Sequence, residues 1–268
     1  CYVDHLMRAS VPIAQDDRSA WTADLTVGAL HSDTDARLPD TGQAFPAALW
    51  DVRLGLGHRR RLAETWTLGV RLEVGSPSDR PFASGEETVV TATGSLRWDT
   101  GEHTAWAFLL NGSNNREFLR YAPLPGVAWL YEPSKDLSVM AGVPMSSARW
   151  RPTQRLTLEG TYMLLRTVHA KVSYELLRPL AIYAAFDMEN RRYLRHGRQD
   201  DDDRLNYYTR RVAGGLRWRI TRHAVLDAAA GWAFDRFFFE GEDYDDRGRN
   251  RLDLEDGAFL RLTCRLRF

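Results

Sequence analysis

Strict two-residue alternation constrains this chain more than any other feature. Segments of about ten residues, the length of a tilted membrane strand, switch between apolar and polar side chains at every step. Examples are "WTADLTVGAL", "TWTLGVRLEV", "RLTLEGTY", "RRVAGGLRWRI" and the closing "AFLRLTCRLRF". A period of two sends neighbouring residues to opposite faces of a strand, and no helical period is sustained anywhere. The expected fold is therefore all-β, an antiparallel meander.

The connections between segments also alternate. "HRRRLAE", "DTGEH", "EPSKD", "RPTQ", "LRP" and "ITRH" are tight, whereas "HSDTDARLPDTGQAFP", "GSPSDRPFASGEE", "NGSNNREF", "RHGRQDDDD" and "GEDYDDRGRNR" are long and rich in Gly, Pro, Asp and Arg. Short turns on one rim and long loops on the other are the habit of outer-membrane barrels, and a soluble sandwich has no reason to keep that asymmetry.

One parity along the strands carries the aliphatic residues and every tryptophan of the chain, including Trp50 and Trp232. Seven of these, Trp21, Trp66, Trp98, Trp106, Trp129, Trp150 and Trp218, stand at strand ends beside the short turns and would form a girdle at a membrane interface. There an indole keeps its ring in acyl chain and its N–H in headgroup water. The other parity carries Asp51, Arg53, Arg71, Glu73, Arg97, Lys171, Glu175, Asp187, Glu189, Arg211, Arg217, Asp227, Asp235, Asp253, Glu255, Arg261 and Arg265, with Gly, Ser and Thr between them. Hydrocarbon would penalise each arginine by about 2–4 kcal/mol at the bilayer midplane, so this face is expected to line a wet lumen.

The whole of residues 1–268 reads as one domain, a single antiparallel up-and-down transmembrane β-barrel of about 14 to 16 strands. Residues 1–17 form its first strand or an N-terminal segment. About fourteen strands follow from Trp21, and an odd total is awkward because the end strands of a closed meander pair antiparallel only when the number is even. Either the first segment lies outside the barrel or a further N-terminal strand is missing.

Composition bounds the function. Formal net charge is zero, so nothing marks a nucleic-acid binder. No apolar run reaches the roughly 18 residues of a spanning helix. Cys1 and Cys264 are too few for a disulfide framework or a zinc site. A mature lipoprotein would also begin with Cys, but "CYVDHLMRASVPIA" lacks the small polar tether expected after a lipidated residue.

Several stretches, "RLPDTG", "SDRPFAS", "PLPGVAWLYEPS", "GVPMSSARWRPTQRLTLE", "TVHAKVSYEL" and "FDRFFFEGEDYDDR", together resemble an uncharacterised family of bacterial outer-membrane β-barrels, a domain of unknown function. The resemblance implies the barrel fold, an outer-membrane location, and a terminal Phe268 of the kind read by the barrel-assembly machinery during biogenesis. It implies no activity, substrate or catalytic residue. Family members begin with one more strand, which agrees with the missing-strand reading.

Individual constellations add little. "RQDDDDR" could gather a divalent cation, against a loop held open by like-charge repulsion. "GEDYDDRGRNRLD" echoes a calcium loop, but Arg247 stands where a ligand should be. His169, Ser173 and Glu175 share the inward face, whereas barrel-embedded lipases carry their site on the outside. The late-strand arginines with Asp227 and Asp235 would either set a transverse field across a pore or pair along the wall as salt bridges. The expected function is a porin-like passive channel for small polar solutes. The alternative is a structural or envelope-organising barrel with a blocked lumen and no transport. No enzyme, metal or cofactor is expected, and the expected partner besides the assembly machinery is membrane lipid.

Overall fold

The computed structural model describes residues 2–116, 122–164 and 167–266; Cys1, Arg267 and Phe268 lie outside the described residues. The strands are β1 (Tyr2–Gln15), β2 (Ser19–Ser32), β3 (Ala48–Arg61), β4 (Trp66–Ser78), β5 (Val89–Asp99), β6 (Thr104–Ser113), β7 (Leu124–Ser134) and β8 (Leu137–Val143). They continue as β9 (Met145–Trp150), β10 (Leu156–Met163), β11 (Thr167–Leu177), β12 (Leu180–Tyr193), β13 (Arg204–Arg219), β14 (Ala224–Gly241), β15 (Leu252–Leu254) and β16 (Gly257–Leu266). All sixteen belong to one antiparallel sheet in chain order.

The tight turns are closed by side-chain oxygens. Asp16 accepts from the backbone N–H groups of Arg18 and Ser19 at 2.8 and 2.7 Å, and the Thr221 hydroxyl accepts from His223 and Ala224 at 3.1 and 3.0 Å. A short polar side chain satisfies the turn's own amides and holds the register of the strands it joins.

The expected closed barrel is corrected in one respect: the sheet does not close. Strand β1 pairs only with β2. Strands β15 and β16 both pair with β14, one at each end of it, and so share a single position in the sheet. Sixteen strands therefore occupy fifteen positions. Because odd positions all run the same way, β1 and β16 both run from the long-loop end to the short-turn end. Two parallel edges cannot complete an antiparallel ladder. A cleft of about 810 Å³ separates them, with Asp4 on one side and Glu255 and Arg261 on the other.

The sheet nonetheless curls, so that strands distant in the ladder touch across the interior at the long-loop end. There the Leu194 amide beyond β12 donates to the Pro77 carbonyl of β4 at 2.6 Å, and Arg191 of β12 pairs with Asp4 of β1 at 2.8 Å. The charged parity faces inward and the tryptophan parity outward. Trp66 pairs with Trp98, Trp98 with Trp106 and Trp106 with Trp129, so one unbroken indole row crosses β4 to β7 on the outside.

The larger apolar cluster of the interior lies at the long-loop end, and a smaller one of Tyr183, Ala185, Ala213 and Ala229 lies further down the wall. Leu38 and Phe45, carried inward by the loop between β2 and β3, pack with Leu30, Leu49, Tyr193, Leu205, Tyr207 and Phe238 from strands on both sides of the curl. This loop is a small hairpin, bridged at Arg37 and Ala44 and turned at Gly42, whose φ of 67° is left-handed.

Two expectations about the inner face are overturned at β14. A bulge opposite Tyr208 and Arg210 leaves Asp235 at a φ of 49°, and its carboxylate pairs at 3.1 Å with Arg210, a residue of the outward parity opposite Met188. An inserted residue reverses the parity of everything after it. Asp253 accordingly pairs in register with the outward Phe237, not with the lumen wall. Glu255 sits in the break between β15 and β16, exposed and outside the ladder.

Candidate functional site

The charged parity gathers most of the ion pairs of the strands and is the candidate site. On its first wall, Arg53 of β3 reaches Asp51 at 2.6 Å and Glu73 of β4 at 3.5 Å, while Arg71 bridges Glu73 at 3.1 Å and Asp24. Arg97 holds Asp99 at 2.8 Å. On the second wall His169 meets Asp187 at 2.5 Å, Arg261 reaches the same carboxylate at 3.4 Å, and Arg211 binds Glu189 at 2.5 Å. Asp227 is almost fully buried. It accepts from Arg217 at 3.2 Å and from the Tyr183 hydroxyl, with Lys171 and Arg265 each 3.8 Å away. Lys171 in turn lies 3.4 Å from the centre of the Tyr183 ring.

Gly215 makes this last cluster possible. It faces Tyr183 across the ladder, and a Cβ there would fall inside van der Waals contact of the phenol ring.

Both signs of charge therefore occur on each wall and pair within it. A cationic wall facing an anionic one, the transverse-field arrangement, is not what the geometry contains. Nor does Ser173 bond to His169: its hydroxyl makes no hydrogen bond, and His169 is taken by Asp187. Of the four aspartates in "RQDDDDR", Asp203 turns inward to Arg249 at 3.1 Å, with burial raising its pKa against the Arg249 charge. Among the described residues no group of three or more His, Cys, Asp or Glu is arranged to hold a metal ion.

A second set of buried polar groups lies at the long-loop end beside the apolar core. Arg195 and Glu240, both buried, pair at 2.8 Å, and Asn250 donates to the same carboxylate at 2.9 Å while its backbone N–H reaches Asp40 at 2.5 Å. Beside them Glu87, 1% exposed, is held by the Ser84 hydroxyl at 2.5 Å and by His196 at 3.0 Å. Burial pushes its carboxyl up, but the hydrogen bonds from Ser84 and His196 outweigh burial and leave its pKa below the ordinary value. The parity argument missed Glu240 because it follows the parity-reversing bulge in β14, and the others because they lie outside the strands. One signal was readable: "SGEE", Ser84 to Glu87, is a Ser-x-x-Glu capping pair opening a single helical turn.

Compared with known protein families and with curated proteins, the chain matches none. The family resemblance thus rests on the quoted segments alone.

Proposed function

We propose that this chain is an outer-membrane β-barrel protein of the bacterial type whose interior is sealed at the long-loop end, a structural or envelope-organising barrel with no standing pore. The membrane setting is supported by the outward face, where Leu54, Val70 and Leu72 of β3 and β4 are 62, 51 and 49% exposed and adjoin the indole row. Soluble monomers rarely expose apolar patches of more than a few hundred Å². Closure would need one further strand antiparallel to both β1 and β16. The assembly machinery would then insert the closed barrel.

The observation that carries the sealed reading is the apolar packing of Leu38, Phe45, Tyr207 and Phe238 across the interior. A porin-like solute path would have to pass this packing or the cleft beside it, where Leu30 and Tyr207 stand with Asp4, Asp33, Arg211 and Arg261. The lumen charges paired along each wall fit a stabilised enclosure as well as they would fit a channel.

Planar bilayers test this directly. Protein that shifts on a heat-modifiability gel, as folded barrels do, is expected to give silent membranes. Stepwise conductance from that same folded protein at rest would sink the sealed reading and favour the passive channel.

A further inference from the structure

We propose that the short-turn mouth of the interior is a binding site for small multivalent oxyanions, of which phosphates are the fitting chemistry. The strands bring their guanidinium groups to one place there. Arg217 and Arg219 are two apart on the inner face of β13, Arg265 stands on β16 opposite Val225, which is itself opposite Arg219, and Arg149 arrives from β9. The turns that close β11 to β12 and β13 to β14 add Arg178 and Arg222. These six arginines line one cavity of about 280 Å³ whose own carboxylate is Glu175 alone.

The nearest acids deeper in the wall do not balance them. Arg149 reaches Glu159 at 3.5 Å, and Arg217 and Arg265 share Asp227, which Lys171 also approaches. Arg178, Arg219 and Arg222 have no carboxylate within ion-pair distance among the described residues. Six cations against Glu159, Glu175 and Asp227 leave a surplus of three, in a chain whose formal net charge is zero. Such a segregation concentrates field in a concave, low-dielectric wall and attracts anions.

The guanidinium type matters as much as the charge. Its planar fork matches phosphate and carboxylate oxygens in pairs, and several forks converging on one cavity reward a ligand with more than one anionic group. The ligand must be water-borne, because every contributing strand residue faces the interior and not the apolar exterior. The short turns themselves line the cavity, so the ligand enters from that side.

Pyrophosphate is the probe. The full chain in detergent, checked for folding by heat-modifiability, is expected to bind it by calorimetry in about 0.1 M salt, where screening already acts beyond roughly 10 Å. The triple variant Arg178→Gln, Arg219→Gln, Arg222→Gln is expected to weaken binding at least tenfold. Arg59→Gln, Arg60→Gln, Arg61→Gln, on the same rim but outside the cavity, is expected to leave it within twofold. Glu175→Gln should tighten it. The proposal is overturned if folded protein does not bind pyrophosphate, if both triple variants lose affinity equally, or if a short-chain phosphatidate competes far better than pyrophosphate, which would assign the arginines to lipid headgroups. Binding requires only the folded sheet, so this result is independent of whether bilayers stay silent.

Discussion

The two ends of this curled sheet are built from the same strands and behave as different materials. At the long-loop end the connections are long enough to fold back, so Leu38 and Phe45 enter the interior and charged groups such as Glu240 and Glu87 are buried with matched partners. At the short-turn end the turns are too short to fold back, and the arginines lining one cavity outnumber its acids. Strand chemistry sets which face is enclosed. Loop length decides whether the enclosure is dry.

The largest expected effect lies at the dry end. Phe238 has no exposure and touches Tyr2, Phe45 and Tyr207 rings at centroid distances of 6.2, 4.8 and 4.6 Å. Phe238→Ala should cost about 3–5 kcal/mol, the usual range for emptying a packed aromatic site. Measured as a drop in the temperature of the heat-modifiability shift, that loss would exceed any single change at the wet end. Equal losses at both ends would erase the distinction.

Glu87 sharpens the comparison through pH. Its folded pKa is lowered, so its contribution is present above the ordinary glutamate range and disappears as pH falls through the folded value. Acidification should therefore loosen the long-loop end first, seen as faster proteolysis of the loop between β4 and β5. Glu87→Gln should remove that acid sensitivity while costing roughly 1–3 kcal/mol at neutral pH, since a buried, charge-assisted partner set is lost. A variant as acid-labile as the parent would show that other groups hold the loop.

How much of this was legible in the sequence follows the range of the interactions. Strand identity, the short and long connections and the two faces are local properties, and a period of two revealed them across almost the whole chain. Parity failed at Asp235 and Asp253 because one inserted residue reverses the faces beyond it. The only hint was the run Phe237-Phe238-Phe239, in which alternation stops. The seal was not legible: Leu38 and Phe45 were apolar residues inside an otherwise turn-like loop, and their partners lie far along the chain on β12 to β14. The cavity arginines were visible one by one, but only the ladder brings β9, β11, β13 and β16 to a common mouth.

Toward the short-turn end of β13, Gly215 lies against the buried Tyr183–Asp227 cluster. Gly215→Ala should cost about 1–3 kcal/mol, because the added methyl meets the Tyr183 ring that Asp227 and Lys171 hold in place. Tyr183→Phe in the same background should relieve it only in part, because the ring carbons Cζ and Cε1 crowd the added methyl together with the hydroxyl oxygen. Full rescue by that second change would instead assign the strain to the hydroxyl and its bond to Asp227.

The smallest expected effect is at the wet wall. Arg71 bridges Asp24 and Glu73, yet its side chain is 43% exposed, so water already screens the pair. Arg71→Gln should cost no more than about 1 kcal/mol, as exposed ion pairs usually do. Raising the salt concentration should shrink even that difference, because the Coulombic part is what salt removes. The same salt series applied to Phe238→Ala should leave its loss in place, since burial of a phenyl ring does not depend on ionic screening. A salt-insensitive loss of several kcal/mol at Arg71 would mean that the short-turn half is packed as tightly as the other. The contrast between a sealed end and a solvated one would then have to be abandoned.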